Sequence, residues 1–316
     1  MLVGFSAYSL RFSTGMWAKG LERRMDVWDL VDIARRVNAD GVMFNPAFIP
    51  EPQEESLRRL ARESEEFHLY MEIETYGTDP KFLRKIVDYS EVLGANVMRT
   101  FVGGVATRHE VGLKEWERML RRAANNLREI STYARSKGVR IAVENHGDVR
   151  TGELLELLRM VDSEWVGVCF DTGNQIFLLE DPLDSAKALA PYVLTTHVKE
   201  YRVLYCPRGL LVEGCKLFEG DIPNREIIPI LRKHSPMGRD LHLNVEVALE
   251  RIVVPFLEPE FIKNLGEIDV AQLLKTLKYA KCWTNDVEDF TYSEEILSRE
   301  LENLKVSIER AKREWG

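Results

Sequence analysis

Paired cysteines, long apolar runs and an excess of positive charge are all missing from this 316-residue chain. Its four cysteines, Cys169, Cys206, Cys215 and Cys282, are widely spaced and form no C-x-x-C pair, so no thiolate metal motif or dithiol redox motif is present. Cys169 falls inside an apolar stretch and reads as a buried free thiol. The N-terminus, Met-Leu-Val-Gly-Phe-Ser-Ala-Tyr-Ser-Leu, lacks a basic region followed by a long apolar segment and reads as a first strand, not a signal peptide. No segment approaches the length of a membrane span, so a cytoplasmic protein with no membrane partner is expected. The net charge of −8 argues against general nucleic-acid binding, which needs a basic face. No G-x-G-x-x-G follows the first strand, and Gly103-Gly104 is too bare a signal to stand in for a dinucleotide loop.

What is present is an ordinary globular composition, 45% hydrophobic and 30% charged, with ample material for a core. The length suits two ordinary domains or one large α/β barrel. Strand patterns at residues 2–10, 41–45, 68–75, 95–102 and 139–145 alternate with helical patterns at 25–37, 51–67, after the cap Asp79, and at 109–136. Shorter helices at 153–161, 184–189 and 225–234 separate three further apolar runs, and a helix capped by Asp269 and ending near 281 completes the count. Eight strand–helix units predict a closed (β/α)₈ TIM barrel over residues 1–281. Residues 282–316 form a C-terminal helical extension, in which Leu297, Leu301, Leu304 and Ile308 recur at helical spacing. That face packs on its own barrel or on a second copy, so a homo-oligomer stays open.

Four ionisable side chains stand at the ends of successive apolar runs. They are Glu144 in Val-Arg-Ile-Ala-Val-Glu-Asn-His-Gly, Asp171 in Val-Gly-Val-Cys-Phe-Asp-Thr-Gly-Asn, His197 in Val-Leu-Thr-Thr-His-Val-Lys-Glu and Glu246 in Leu-His-Leu-Asn-Val-Glu. A charge at the end of a buried strand is costly unless a metal, a partner or chemistry compensates it. The carboxyl ends of parallel barrel strands converge on one face, so the four read as one divalent-metal site. Three carboxylates and one imidazole make a hard, mostly oxygen donor set, suited to Mn²⁺ first, with Mg²⁺, Co²⁺ or Zn²⁺ also compatible.

The ordered set Ala-Val-Glu-Asn-His-Gly at 142–147, Phe-Asp-Thr-Gly-Asn at 170–174, Thr-His-Val-Lys-Glu at 196–200 and Asn-Val-Glu at 244–246 resembles the xylose isomerase-like TIM barrel superfamily, in its sugar isomerase and epimerase branch. The resemblance extends over roughly residues 2–279, and Phe-Glu-Gly-Asp-Ile-Pro at 218–223 resembles the family's loop after the seventh strand. It implies that Glu144, Asp171, His197 and Glu246 hold one catalytic ion. It also implies that Glu144 and Glu246 serve as acid and base on opposite faces of a sugar or keto-polyol, through an enediolate. The trinuclear endonuclease IV branch needs a histidine where this chain has Asn174, and an Asp-x-His pair after the seventh strand that nothing here supplies. Ketose 3-epimerases also place a substrate-contacting histidine at Asn174, and Arg202 is poorly spaced to be their arginine.

Around the metal ligands, His146 and Lys199 each follow a ligand by two residues and so point to the same mouth, as candidates for proton transfer and for holding an oxyanion. Tyr8, Glu74, Arg99 and Asn174 are candidate substrate contacts, and Trp17 and Asn45 are further wall candidates. The expected activity is a metal-dependent sugar isomerase or epimerase working by proton abstraction next to a carbonyl. A lyase of the keto-inositol dehydratase or 3-keto-glycoside-cleaving type uses the same site, and a non-catalytic sugar-binding protein is the rival from a different class.

Overall fold

The computed structural model describes residues 1–17, 22, 25–51, 53–104 and 107–316. Twelve strands are found among them: β1 (Val3–Ser6), β2 (Gly41–Phe44), β3 (Tyr70–Glu74), β4 (Val97–Thr100), β5 (Arg140–Glu144), β6 (Val166–Asp171), β7 (Val193–Val198), β8 (Tyr201–Cys206), β9 (Gly209–Gly214), β10 (Leu243–Val245), β11 (Arg251–Val254) and β12 (Cys282–Trp283). Eight of them close into a barrel in the order β1-β10-β7-β6-β5-β4-β3-β2, every neighbouring pair parallel. This is the predicted TIM barrel. Its strands are almost wholly buried, as parallel strands enclosed by helices must be.

The other four strands were not foreseen. They form a separate sheet ordered β11-β9-β8-β12, built on the antiparallel hairpin of β8 and β9, in which Tyr201 faces Gly214 and Cys206 faces Gly209. Two local expectations also change. The first strand stops at Ser6 because its hydroxyl accepts the Tyr8 amide at 3.2 Å and starts a 3₁₀ turn over Ala7–Leu10, followed by a short helix at Arg11–Thr14. The helix expected over 109–136 is two, Thr107–Val111 and Leu113–Ser136, broken where Gly112 adopts φ +77°, a conformation open to glycine.

The capping residues Asp79 and Asp269 both accept backbone N–H groups at the starts of their helices, as expected. The helix after Asp269, Val270–Leu277, docks through Gln272 and Lys275 onto Asp184. The C-terminal extension is the helix Glu294–Trp315, and it packs on its own barrel against β1 and β10. Glu300 anchors it, accepting from the Phe12 and Ser13 amides and the Ser13 hydroxyl at 2.7–2.8 Å. Cys169, Cys206 and Cys215 are buried free thiols, and Cys282 is exposed. No helix among the described residues is long and apolar enough to cross a membrane.

Candidate metal centre and substrate cavity

Strand register brings the predicted ligands together. Glu144 ends β5, Asp171 ends β6 directly opposite His197 on β7, and Glu246 follows β10 at once. His197 is the hub. Its Nδ1 lies 3.1 Å from Glu144 Oε1, 3.3 Å from Glu246 Oε2 and 4.0 Å from Asp171 Oδ2. Its Nε2 faces Met43 Sδ at 3.0 Å and Glu74 Oε2 at 3.8 Å. Glu144, Asp171 and His197 offer donor atoms within 4.8 Å of one another, and so do Glu74, His197 and Glu246.

This donor set fits a divalent ion on an observation separate from its composition. Asp171 Oδ2 is buried and has no hydrogen-bond partner among the described residues, whereas Asp171 Oδ1 is fixed by the Gly173 and Asn174 amides at 2.8 and 3.0 Å. One oxygen is thus held by hydrogen bonds, while the other accepts none and meets the Lys199 ammonium at 3.5 Å. Asn145 braces the same strand end, exchanging hydrogen bonds with the Asp171 backbone at 2.7 and 2.8 Å.

The electrostatics reflect crowded charge. Burial pushes Asp171 up to about 7 and Glu74 likewise to about 7. Burial would lower His197, but Glu246 and Glu144 override it and hold the imidazole at about 9. Burial would raise Glu144, yet the Arg99 guanidinium, paired with its Oε2, and His197 hold it well below the usual carboxylate range. Lys199 stays ammonium. Burial opposes this, and Asp171 and other neighbouring acids outweigh it.

Beside the centre lies a cavity of about 300 Å³. Of the predicted residues, Tyr8, Trp17, Glu74, Arg99, His146, Asn174, Lys199 and Glu246 line it. Asn174 bridges the two sides, its amide donating to Glu144 Oε1 at 3.2 Å while its carbonyl accepts from Lys199 at 3.3 Å. His146 is half-buried, stacked on Phe101 with ring centroids 4.1 Å apart. Burial lowers it to about 4, so it is neutral at physiological pH. Asn45 does not line the cavity; its side chain caps the next turn, accepting from Ala47 N at 3.0 Å. Arg202 points outward to Glu213 and Glu219.

Sequence reasoning missed Glu250, Phe101, Phe177 and Ile252 in the lining. Glu250 is only 2% exposed and accepts from the hydroxyls of Tyr8 at 2.8 Å and Tyr201 at 2.7 Å. A signal existed: in an extended chain, Glu246 and Glu250 fall on one side.

The family described as "Xylose isomerase-like TIM barrel" matches residues 31–248. The chain belongs to this family. Within curated proteins, it is 25% identical over 205 residues to the uncharacterized protein YihM of Escherichia coli K12, covering 63% of this chain and 60% of YihM. It is 33% identical over 92 residues to an inosose dehydratase of Bacillus anthracis, 28% of this chain and 30% of that enzyme. The chain therefore spans less than two thirds of these relatives' length. The solved structure of D-psicose 3-epimerase with D-tagatose from Clostridium cellulolyticum H10 superposes with a TM-score of 0.64 over 99% of both chains. At 13% identity, that family neighbour speaks to the fold alone.

Proposed function

We propose that this protein is a divalent-metal-dependent enzyme that removes a proton next to the carbonyl of a sugar or keto-polyol. The observation carrying this reading is the approach of Glu144, Glu246 and Asp171 to within 4.0 Å of His197 Nδ1 at the carboxyl ends of the barrel strands, beside a polar cavity. Its volume of about 300 Å³ is at the small end of ligand sites and suits a monosaccharide-sized substrate. Glu144, Asp171, His197 and Glu246 would hold a Mn²⁺, Mg²⁺, Co²⁺ or Zn²⁺ ion, which would supply Lewis-acid polarisation of the substrate carbonyl. The oxygen-rich donor set favours Mn²⁺.

The chain's own residues divide the remaining work. Glu246 is the one of the four proposed ligands that also lines the cavity, so it is placed to take the proton from carbon. Lys199 presents an ammonium to the same cavity, where it stabilises the developing oxyanion. His146, neutral and stacked on Phe101, accepts or donates a hydrogen bond to a substrate hydroxyl. Tyr8, Glu74, Arg99 and Asn174 surround the bound molecule, and Trp17 provides an aromatic face.

Two outcomes share this first step, and one observation separates them. Epimerisation needs a second carboxylate facing the substrate from the other side, which the family resemblance assigns to Glu144. Here Glu144 is fully buried, paired to Arg99 and bonded to Asn174, which weakens it as a base. Glu246 and Lys199 together support elimination: Glu246 takes the proton from carbon, the C–O bond at the β position breaks, and Lys199 protonates the departing oxygen, giving net loss of water. The short match to an inosose dehydratase points the same way.

The test is a panel of ketoses, keto-inositols and 3-keto-glycosides assayed with Mn²⁺ and after chelation. An enone absorbance with loss of water supports the lyase, and solvent deuterium incorporation without loss supports the epimerase. Activity persisting in every metal-depleted sample overturns the reading. In an enzyme, Glu246→Gln abolishes turnover with the fold intact; if cellular function survives that change, the protein is a sugar binder.

A further inference from the structure

The cation beside Asp171 Oδ2 is Lys199. Its Nζ lies 3.5 Å from Asp171 Oδ2 and 3.1 Å from Glu246 Oε1, two of the four proposed donors. On its other side it lies 3.8 Å from Glu250 Oε1. Glu250 belongs to a separate box, with its carboxylate held by the Tyr8 and Tyr201 hydroxyls and Arg11 at 3.9 Å. The rings of Tyr8 and Tyr201 each stand 5.7 Å from the ammonium, within cation–π range. The lysine side chain is 7% exposed, so its charge is satisfied by these groups and not by water.

An ammonium and a divalent ion drawing on the same two buried carboxylates repel each other where water is excluded, and the competition is most direct at Asp171 Oδ2. We propose, resting on the metal-centre reading above, that Lys199 is an exchangeable internal cation. Without an ion its ammonium neutralises Glu246 and Asp171; on loading it swings to the Glu250 box, where the two tyrosine rings and the prepaid carboxylate receive it. Glu250 is then a positioning residue, and loading is coupled to presenting the ammonium to the substrate cavity. The same exchange lets the ion-free chain keep its carboxylates compensated, and it lowers metal affinity by the work of moving the lysine.

The test is calorimetric titration of Mn²⁺ into the intact wild type, Lys199→Met, Glu250→Gln and the double variant, with folding checked by circular dichroism. Lys199→Met binds Mn²⁺ about tenfold more tightly, since no resident cation is displaced, and Glu250→Gln binds about tenfold more weakly, since the displaced ammonium loses its receiving carboxylate. The double variant matches Lys199→Met, because Glu250 acts on loading only through the lysine. If Lys199→Met misfolds, Lys199→Gln removes the charge while keeping a hydrogen-bond donor for Asn174, and the same tightening is expected. Wild type that binds Mn²⁺ together with charge-neutral variants that bind no tighter overturns the exchange alone, as does a Glu250→Gln effect that persists without the lysine. Wild type that binds none of Mn²⁺, Mg²⁺, Co²⁺ or Zn²⁺ overturns the metal centre and the exchange with it.

Discussion

A methyl group at position 173 would lie 2.7 Å from the Tyr201 ring and 3.2 Å from Lys199 Cβ, so glycine there lets the cavity wall close on the metal centre. Gly173→Ala is expected to cost about 1–3 kcal/mol by overpacking, read as a lower denaturant midpoint; an unchanged midpoint would show that the wall yields freely. Glu200, which follows Lys199 in the chain, contributes to the pH dependence from outside the metal centre. Burial raises its carboxyl from 4.5 to about 7, against the lowering pull of the Phe218 and Ile222 amides and Asn224. The native state therefore binds this proton more tightly than the unfolded chain, and the stability it contributes is present below pH 4.5 and is lost as pH rises through 7. Glu200→Gln, which mimics the neutral acid, should gain about 2 kcal/mol on the parent between pH 5 and pH 8. Parallel stability curves for the two proteins would remove Glu200 as the cause. Asp171 and His197 were legible in the sequence because they close strand-length apolar runs, whereas Glu250 lies past the last barrel strand, where only its four-residue spacing from Glu246 pointed to it.

At the scale of elements, one carboxylate, Glu300, ties the C-terminal helix to the short helix Arg11–Thr14 that follows the Tyr8 turn. Glu300 is fully buried and accepts the three donors of Phe12 and Ser13 described above. Glu300→Ala leaves the buried Phe12 amide and the half-buried Ser13 amide without an acceptor and should destabilise the protein by about 1–3 kcal/mol for each that water cannot reach, seen as a fall of several degrees in Tm. A melting point within about 1 °C of the parent would mean that the helix is held by its apolar face alone. That apolar face was readable from Leu304 and Ile308, both wholly buried; the glutamate was not, because its partners lie nearly the whole chain away. The extra sheet escaped for a different reason. Its hairpin turns on Pro207-Arg208 between Cys206 and Gly209, and this pair lacks the Asn-Gly or Asp-Gly signature of two-residue turns. The barrel strands were visible because burial on both faces writes them as nearly continuous apolar runs.

The whole molecule draws its proposed ligands from β5, β6, β7 and the end of β10, half the circumference of the closed barrel. An ion bound there cross-links strands that the unfolded chain would separate, and the unfolded chain offers no preformed site, so binding energy becomes folding energy. At a free ion concentration a hundred times the dissociation constant, the gain is about 2.7 kcal/mol, or roughly 5 °C in Tm for a chain of this size. Chelation should reverse it. The ion-free protein should nonetheless remain folded, because Arg99, Lys199 and His197 already offset the carboxylates of the centre. Asp171→Asn separates this effect from non-specific ion binding at the acidic surface: the variant's Tm should not respond to Mn²⁺ or to chelator, while the parent's responds to both. An equal response in the two proteins would place the stabilising ion elsewhere on the molecule.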